Sequence, residues 1–431
     1  MNDVPEVLWS IQPHAGYYIN SVAVSDDGNV IVAGTFYHHY GDASQVPGLD
    51  AVPVAQRKIF ERVAPAATRT DVCDDEEGHY GTYAWDRTGK RLLTKEFDGW
   101  QGVYWVDVAA DGGTVASCGW KSQGPDTGFI GAWAVPGGEE LLSFSLPSAR
   151  GNMVALDAHG RTLLAGADQG YLFFRDGDAA FGAEPARIAL GTGGDSNGDS
   201  VVAIGIADDG ATGLVASYLG EIILFSIASG QPAVLTRWQS PKDVHLHIAV
   251  LSGDGRRAYA GGSNGTLYAF DVATFPDTRA PVWTATIPEG ATTLYGLACD
   301  RSGDTVAVAG NLPHAKSGQG GVVAVFADTG AEPRLQWTSY SAHSPNFLAF
   351  DPGGRWLGVA DGYPDGAPGG FTVWSASDST PRWTWAAGNM SWAIGFCGDA
   401  SVVVGGSDDS SVTAFAGPGS ALARGRTEAD G

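Results

Sequence analysis

A strand–turn–strand unit recurs eight times along the 431-residue chain, and this repeat constrains the fold more than any other feature. In each unit, a glycine-bearing turn separates two short apolar runs. The turns are Asp27-Gly28, Asp111-Gly112, His159-Gly160, Asp209-Gly210, Asp254-Gly255, Ser302-Gly303, Gly353-Gly354 and Gly398-Asp399. Runs of β-branched and aromatic residues between Gly, Asn and Asp are typical of antiparallel meanders. The sequence therefore predicts a repetitive all-β fold.

Each unit also predicts a third strand, which in most units follows a glycine and ends in an aromatic residue, as in Thr266–Phe270. Three fourth strands carry the dipeptide Trp-Thr: Trp283-Thr284, Trp337-Thr338 and Trp383-Thr384. The units repeat about every 48 residues, but the first interval is about 36 residues longer. The excess lies at 36–80, which shows no strand alternation, and we interpret it as an insertion within the first unit.

The two ends of the chain complement each other. The eighth unit stops after its third strand, Ser411–Phe415, whereas Val7–Ile11 reads as a fourth strand that no other strand precedes. Because unpaired sheet edges are a liability, we expect Val7–Ile11 to pair beside Ser411–Phe415 and close a ring. We therefore predict an all-β fold of eight four-stranded antiparallel sheets around one axis, in which the N-terminal strand completes the last sheet.

Two segments carry a resemblance to known repeats. Gly265–Asp271 followed by Val282-Trp283, and Gly81–Asp86 followed by Thr88–Lys90, are similar to the quinoprotein-type (PQQ-like) repeat. On these motifs the chain resembles the β-propellers of the WD-repeat and quinoprotein-type superfamily. The resemblance implies an eight-bladed β-propeller but says little about function, because such propellers include dehydrogenases, assembly scaffolds and protein-binding platforms.

The domain organisation follows from the repeat. We predict one β-propeller domain at 1–415, with the 36–80 loop insertion inside the first blade, and a flexible C-terminal tail at 416–431. The N-terminal residues lack the basic and apolar regions of a signal peptide, and no window approaches a membrane span. We therefore expect a cytoplasmic protein that has no membrane partner.

The net charge of −23 and the pI of about 4.5 limit the partners. A field of this sign repels phosphate backbones, so we expect no nucleic acid partner. The charge fits an acidic solubilising surface, and the alternative is an acidic face for a basic partner. The four cysteines are widely spaced without a C-x-x-C motif, which argues against a disulfide framework and a zinc ribbon.

In such a propeller, the loops that join second to third strands lie at one mouth of the central channel. We expect the long connections at this mouth: Phe36–Tyr80, Trp120–Thr127, Asn311–Gln319 and Asp361–Gly369. We call this the loop-side mouth and the opposite one, formed by the eight glycine turns, the turn-side mouth. Long loops on a rigid scaffold are where binding usually resides. Counting back eight residues from each turn glycine or its equivalent places one residue per blade near the channel. With their neighbours, the candidate ligand-binding residues are Tyr18, Asn20, Tyr104, Trp105, Asn152, His245, His247, Tyr295, His343, Asn346 and Trp392.

A ring of amides, imidazoles and aromatic side chains could bind a polar ligand by stacking and hydrogen bonding. The alternative is that the ring only lines a water-filled channel. His245-x-His247 could also share a metal with His343 or with His38-His39, but no carboxylate or cysteine spacing supports such a site. The G-x-S-x-G match at 261–265 is interpreted as a turn between two strands, because a nucleophile elbow requires a strand-to-helix turn.

No catalytic residue is predicted. We expect a non-catalytic binding platform that uses the loop-side mouth for a protein partner or a small polar ligand and needs no cofactor. The alternative is a quinoprotein-like or metal-dependent enzyme with its site at the same mouth. The resemblance to quinone-dependent dehydrogenases implies bound PQQ and calcium, but the adjacent cysteines found in many of those enzymes are absent from this sequence.

Overall fold

The structure is a computed structural model that describes residues 4–13, 17–36, 80–97, 101–121, 127–147, 149–168, 170–176, 185–191, 199–227, 232–316, 319–362 and 369–420. Across these ranges, 32 strands form eight four-stranded antiparallel sheets. The predicted all-β propeller of four-stranded antiparallel blades is confirmed. In the chain segments described, no helix is long and apolar enough to cross a bilayer.

The first four blades contain sixteen strands in chain order. The first blade consists of β2 (Tyr18–Val24), β3 (Ile31–Phe36), β4 (Tyr80–Trp85) and β5 (Arg91–Phe97). The second consists of β6 (Gln101–Val108), β7 (Thr114–Lys121), β8 (Thr127–Ala134) and β9 (Glu140–Pro147). The third consists of β10 (Gly151–Leu156), β11 (Thr162–Ala167), β12 (Tyr171–Asp176) and β13 (Ala186–Ala189). The fourth consists of β14 (Val201–Ile206), β15 (Thr212–Ser217), β16 (Glu221–Ser226) and β17 (Ala233–Gln239).

The other four blades follow the same order, except that the last takes its outermost strand from the N-terminus. The fifth consists of β18 (Leu246–Leu251), β19 (Arg257–Gly262), β20 (Thr266–Asp271) and β21 (Trp283–Thr286), with a short helix α1 (Phe275–Thr278) after β20. A 3₁₀ turn (Pro288–Gly290) leads to the sixth: β22 (Thr292–Cys299), β23 (Thr305–Lys316), β24 (Gln319–Asp328) and β25 (Pro333–Ser341). The seventh consists of β26 (Pro345–Phe350), β27 (Trp356–Asp361), β28 (Gly370–Ser375) and β29 (Pro381–Ala386). The eighth consists of β30 (Ser391–Phe396), β31 (Val402–Ser407), β32 (Val412–Ala416) and β1 (Val7–Ile11).

Contacts between innermost strands define a closed ring. They run from β2 through β6, β10, β14, β18, β22 and β26 to β30, and β30 contacts β2 again. The ring is closed as the sequence predicts, because β1 pairs with β32 in antiparallel register, with Trp9 opposite Ala414 and Ile11 opposite Val412. The N-terminal strand therefore supplies the outer edge of the last blade.

The hydrophobic core lies between neighbouring blades. One cluster joins Tyr259 and Leu267 of the fifth blade to Val306 and Val322 of the sixth, and comparable clusters lie between other adjacent blades. The second strands of several blades are buried along their whole length, whereas outermost strands alternate between buried and exposed positions. Each fully buried large apolar side chain contributes about 1.5–3 kcal/mol, so the ring is held together mainly by face-to-face blade packing.

The turn-side mouth is a collar of backbone hydrogen bonds between adjacent blades. The N–H groups of Asp26, Asp208 and Gly398 donate to the carbonyls of Ala110, Gly253 and Asp26, at 2.9, 2.8 and 2.7 Å. In seven of the eight turns a glycine takes the positive φ that this geometry requires, for example +71° at Gly255, and in the eighth Ala400 takes it, at +56°.

A guanidinium crosses the turn-side mouth. Arg301 of the sixth blade donates through Nε to Asp208 of the fourth, and its Nη1 lies 4.0 Å from Asp26 Oδ2 of the first. The cavity around it measures about 260 Å³. The turn-side mouth is therefore narrow and occupied by the protein's own side chain.

One predicted loop and the start of the predicted C-terminal tail differ from the sequence interpretation. The predicted loop Asn311–Gln319 is a hairpin extension, because β23 continues to Lys316, which pairs with Gln319 at the start of β24. In the predicted tail, Gly417 N–H donates to Ser401 O at 2.9 Å, so the first tail residues are bound to a turn. The 37–79 part of the insertion and residues 421–431 lie outside the described residues.

Candidate functional site

The loop-side mouth is built on a β-bulge in every innermost strand. The pairing of first and second strands shifts register once in each of seven blades and twice in the sixth. The residues between the shifted pairs are Asn20, Tyr104, Asn152, Val202, His247, Thr293, Tyr295, Asn346 and Trp392. A bulge leaves the extra residue outside the ladder and redirects its side chain. The ring predicted from the sequence thus coincides with the eight bulged strands.

Three asparagines of the ring bind the protein itself. Asn20 Nδ2 donates to Tyr104 O at 2.8 Å, and Asn346 Nδ2 donates to Ser391 O at 2.9 Å. Asn152 Nδ2 donates to Asp168 Oδ1 at 3.0 Å and reaches Val201 O at 3.5 Å. Each of these three amides therefore reaches the innermost strand of the next blade, which makes them inter-blade contacts as well as mouth residues.

An imidazole and phenol cluster occupies the sector of the fourth to sixth blades. The Tyr218 ring stacks on His245, with centroids 4.7 Å apart, and meets His247 edge-on at 5.9 Å. His247 in turn lies 5.0 Å from the Tyr295 ring. Burial and the neighbouring His245 lower the pKa of His247 to about 4, so its imidazole is neutral at physiological pH. This sector is an aromatic surface with polar edges.

The structure does not gather the predicted metal ligands. His245 and His247 belong to the fifth blade, whereas His343 N–H lies 3.4 Å from Asp361 Oδ2 in the seventh. In the portion of the chain that is described, no three His, Cys, Asp or Glu side chains are arranged to bind a metal ion. His38 and His39 lie outside the described residues. The G-x-S-x-G segment forms a turn between β19 and β20, as predicted.

Aromatic side chains on the innermost strand of the second blade narrow the channel. Tyr104 packs against Phe36 and Trp120, with centroids 5.5 and 4.8 Å away. Trp105, the residue after the bulge, contacts Phe347 of the seventh blade at 5.7 Å. Because these two strands lie on different sides of the ring, the contact spans the channel. The half-buried Tyr18 begins β2, opposite Phe36.

Sequence reasoning missed a second ring, which lies beside the bulges. It consists of residues that end or directly follow second strands, namely Phe36, Asp168, Tyr218 and Asp408, together with Trp120, which precedes the last residue of β7. Several of these side chains touch bulge residues of their own or an adjacent blade, as in the contacts of Tyr218 with His247 and of Asp168 with Asn152. Their fixed position after each second apolar run could have identified them.

Three described acidic side chains at this mouth have hydrogen-bond partners, whereas one oxygen of Asp408 in the eighth blade has none. Asp168 accepts from Arg150 Nε at 2.5 Å, and Glu221 accepts from Arg237 Nη1 at 2.7 Å. Asp361 accepts from Ser341 Oγ at 2.5 Å. Asp408 is 6% exposed, and its Oδ1 has no hydrogen-bond partner among the described residues. Burial raises the pKa of Asp408 well above its usual range.

Comparisons with known proteins agree with this architecture. Residues 5–39, which contain β1, β2 and β3, match the family described as WD domain, G-beta repeat. The chain is therefore a β-propeller, and its matched residues 5–39 are similar to a WD repeat.

A chain in the crystal structure of the mitotic checkpoint complex resembles this propeller with a TM-score of 0.55 and 13% identity, over 72% of this chain and 86% of that chain. At this identity the likeness shows the fold alone. A comparison with curated proteins finds no match. The quinoprotein-type resemblance of Gly81–Asp86 and Gly265–Asp271 stays a prediction.

Proposed function

We propose that the protein is a non-catalytic interaction platform whose loop-side mouth binds a protein partner. The observation that carries the proposal is the bulged ring, which presents Asn, Tyr, Val, His and Trp side chains at equivalent positions of the eight blades. A rigid ring with non-identical side chains suits recognition of a polypeptide that touches several blades at once.

The two mouths differ in a way that supports this choice. Arg301 crosses the turn-side mouth, and short hydrogen-bonded turns surround it. The loop-side mouth has the imidazole and phenol cluster of Tyr218, His245, His247 and Tyr295, and aromatic residues are enriched at binding hot spots. The WD-type repeat and the likeness to a component of a multiprotein complex favour a protein partner over a small ligand.

The proposal is tested with two double variants. His247→Ala/Tyr295→Ala truncates two rings of the cluster, whereas Leu235→Ala/Leu335→Ala removes two exposed side chains, each 45% exposed, from the outermost strands β17 and β25. We expect proteins that co-purify stoichiometrically with the wild type from its native cell extract to be lost from the mouth variant and kept by the rim variant. Calorimetry checks that both variants remain folded.

Two results would contradict the proposal. One is loss of the same partners from the rim variant alone. The other is retention of every wild-type partner by a folded mouth variant at unchanged affinity, measured with the purified partner by isothermal titration calorimetry.

A further inference from the structure

Three buried polar atoms at the loop-side mouth of the eighth blade have no hydrogen-bond partner among the residues that the structure describes. Ser391 begins β30, Trp392 is its bulge residue, and Asp408 directly follows the paired strand β31. The Trp392 indole interacts with the Asp408 carboxyl and lowers its pKa against the larger effect of burial, but the two groups do not meet in hydrogen-bonding geometry. Within the described residues, Ser391 Oγ, Trp392 Nε1 and Asp408 Oδ1 all lack partners. We call these three residues the blade-8 subsite.

What distinguishes this subsite is that Asp408 Oδ1 accepts no hydrogen bond from the described residues. The carboxylates of Asp168 and Glu221 at the same mouth each have an arginine partner, and Asp199 accepts backbone N–H bonds from Ser200 and Leu219 at 2.9 and 3.0 Å. A buried carboxyl oxygen without a donor costs free energy that an incoming cation or hydrogen-bond donor recovers. A ligand can therefore supply Asp408 with a hydrogen bond that the neighbouring carboxylates already have.

The chemistry of the three groups identifies the class of ligand. Asp408 Oδ1 and Ser391 Oγ are acceptors that a forked guanidinium can meet together, and an indole face attracts the same cation. The indole N–H needs an acceptor, which a backbone carbonyl supplies. Resting on the proposed function, we infer that the blade-8 subsite receives an arginine side chain of a basic segment in the protein partner.

The charge of the whole chain supports this partner. With 48 acidic and 25 basic residues, the protein attracts a basic polypeptide before contact, and such steering raises association rates. Long-range attraction alone is unspecific, so the inference depends on Asp408 rather than on the net charge. A pair of charge-matched variants separates the two effects.

The test measures fluorescence anisotropy of a fluorescein-labelled hexa-arginine peptide at ~0.15 M salt, where long-range attraction is screened. Hexa-citrulline, which keeps the shape without the charge, and hexa-lysine serve as comparison peptides. The variants are Asp408→Asn and Trp392→Leu. The control is Asp243→Asn, which removes one negative charge from an exposed residue at the same mouth whose φ of 65° suits asparagine.

We expect hexa-arginine to bind the wild type more tightly than hexa-lysine and hexa-citrulline. Asp408→Asn is expected to weaken hexa-arginine binding about tenfold or more. Trp392→Leu is expected to weaken it about fivefold. Asp243→Asn is expected to leave it within about twofold. Thermal unfolding of each variant shows that the fold is kept.

Equal weakening by Asp408→Asn and Asp243→Asn would overturn the inference, because it would assign the binding to net charge. So would equal binding of hexa-citrulline and hexa-arginine, or an Asp408→Asn variant that binds hexa-arginine as the wild type does. These failures leave the proposed function standing as long as the His247/Tyr295 variant still loses its protein partner.

Discussion

Trp9 provides the sharpest test of ring closure, because this one side chain connects the eighth blade to the first. It lies on β1, its ring is 6.0 Å from the Trp85 ring, and its indole N–H donates to Arg87 O at 3.1 Å. The ring also packs over Gly89, where an added Cβ would lie 3.2 Å from Trp9 Cγ. Replacing Trp9 by alanine removes all of these contacts and keeps the backbone pairing with Ala414.

The magnitude follows from burial. A fully buried Trp→Ala substitution costs about 3–5 kcal/mol, and Trp9 is half-buried, so we expect about 2 kcal/mol from packing. The lost hydrogen bond adds about 1 kcal/mol. For a chain of this length the unfolding entropy converts about 1 kcal/mol into roughly 1 °C, so Tm should fall by about 3 °C.

The assay is calorimetric unfolding at several scan rates, because chains of this size often unfold irreversibly. Leu8→Ala is the matched control, since Leu8 is the neighbouring residue on the same strand and is 37% exposed. Its Tm should fall by less than about 1 °C. Equal shifts for Trp9→Ala and Leu8→Ala, or no shift for either, would refute the idea that β1 holds the ring closed through Trp9.

Two pH-dependent predictions follow from buried groups whose pKa values are shifted in opposite directions. Burial raises the pKa of Asp107 from 3.8 to about 6, so between these values the folded protein binds a proton that the unfolded chain does not. The stability of the wild type relative to Asp107→Asn should therefore increase as pH falls from 7 to 5. A difference in urea midpoints that stays constant with pH would contradict this. The pKa of His247 is lowered from 6.5 to about 4, so the wild type should lose stability relative to His247→Phe as pH falls from 6.5 towards 4; equal pH profiles of the two Tm values would speak against a buried, neutral imidazole.

The blade architecture could be predicted because short-range sequence signals determine it. Glycine turns with positive φ, aromatic third-strand ends and the Trp-Thr fourth strands recur at fixed spacing, and the structure places Trp283 and Trp383 in fourth strands as expected. Closure was predictable for a similar reason: Val7–Ile11 lacked a partner in sequence, and unpaired edges are avoided.

The site was only partly predictable, because its contacts join residues far apart in sequence. Counting from the turns located Asn20 and Asn346, but it could not show that their amides reach the next blade. The spacing of His245 and His247 suggested a shared metal. The bulge at His247 interrupts the strict alternation that this argument assumed, and Tyr218 contacts both imidazoles. Asp408, which the sequence analysis did not single out, carries no motif and is recognisable only from its surroundings in the structure.

The bulged positions have a consequence for how recognition by this scaffold can change. Residues as different as Asn, Val, His and Trp occupy equivalent bulges, while the flanking residues keep their pairing. Backbone geometry there evidently tolerates many side chains, so substitutions at the bulges that make no hydrogen bond to the next blade should alter what is recognised while sparing the folding of the blade. A combinatorial library confined to these sites could accordingly be selected for new targets, with each of these blades contributing one independently variable residue.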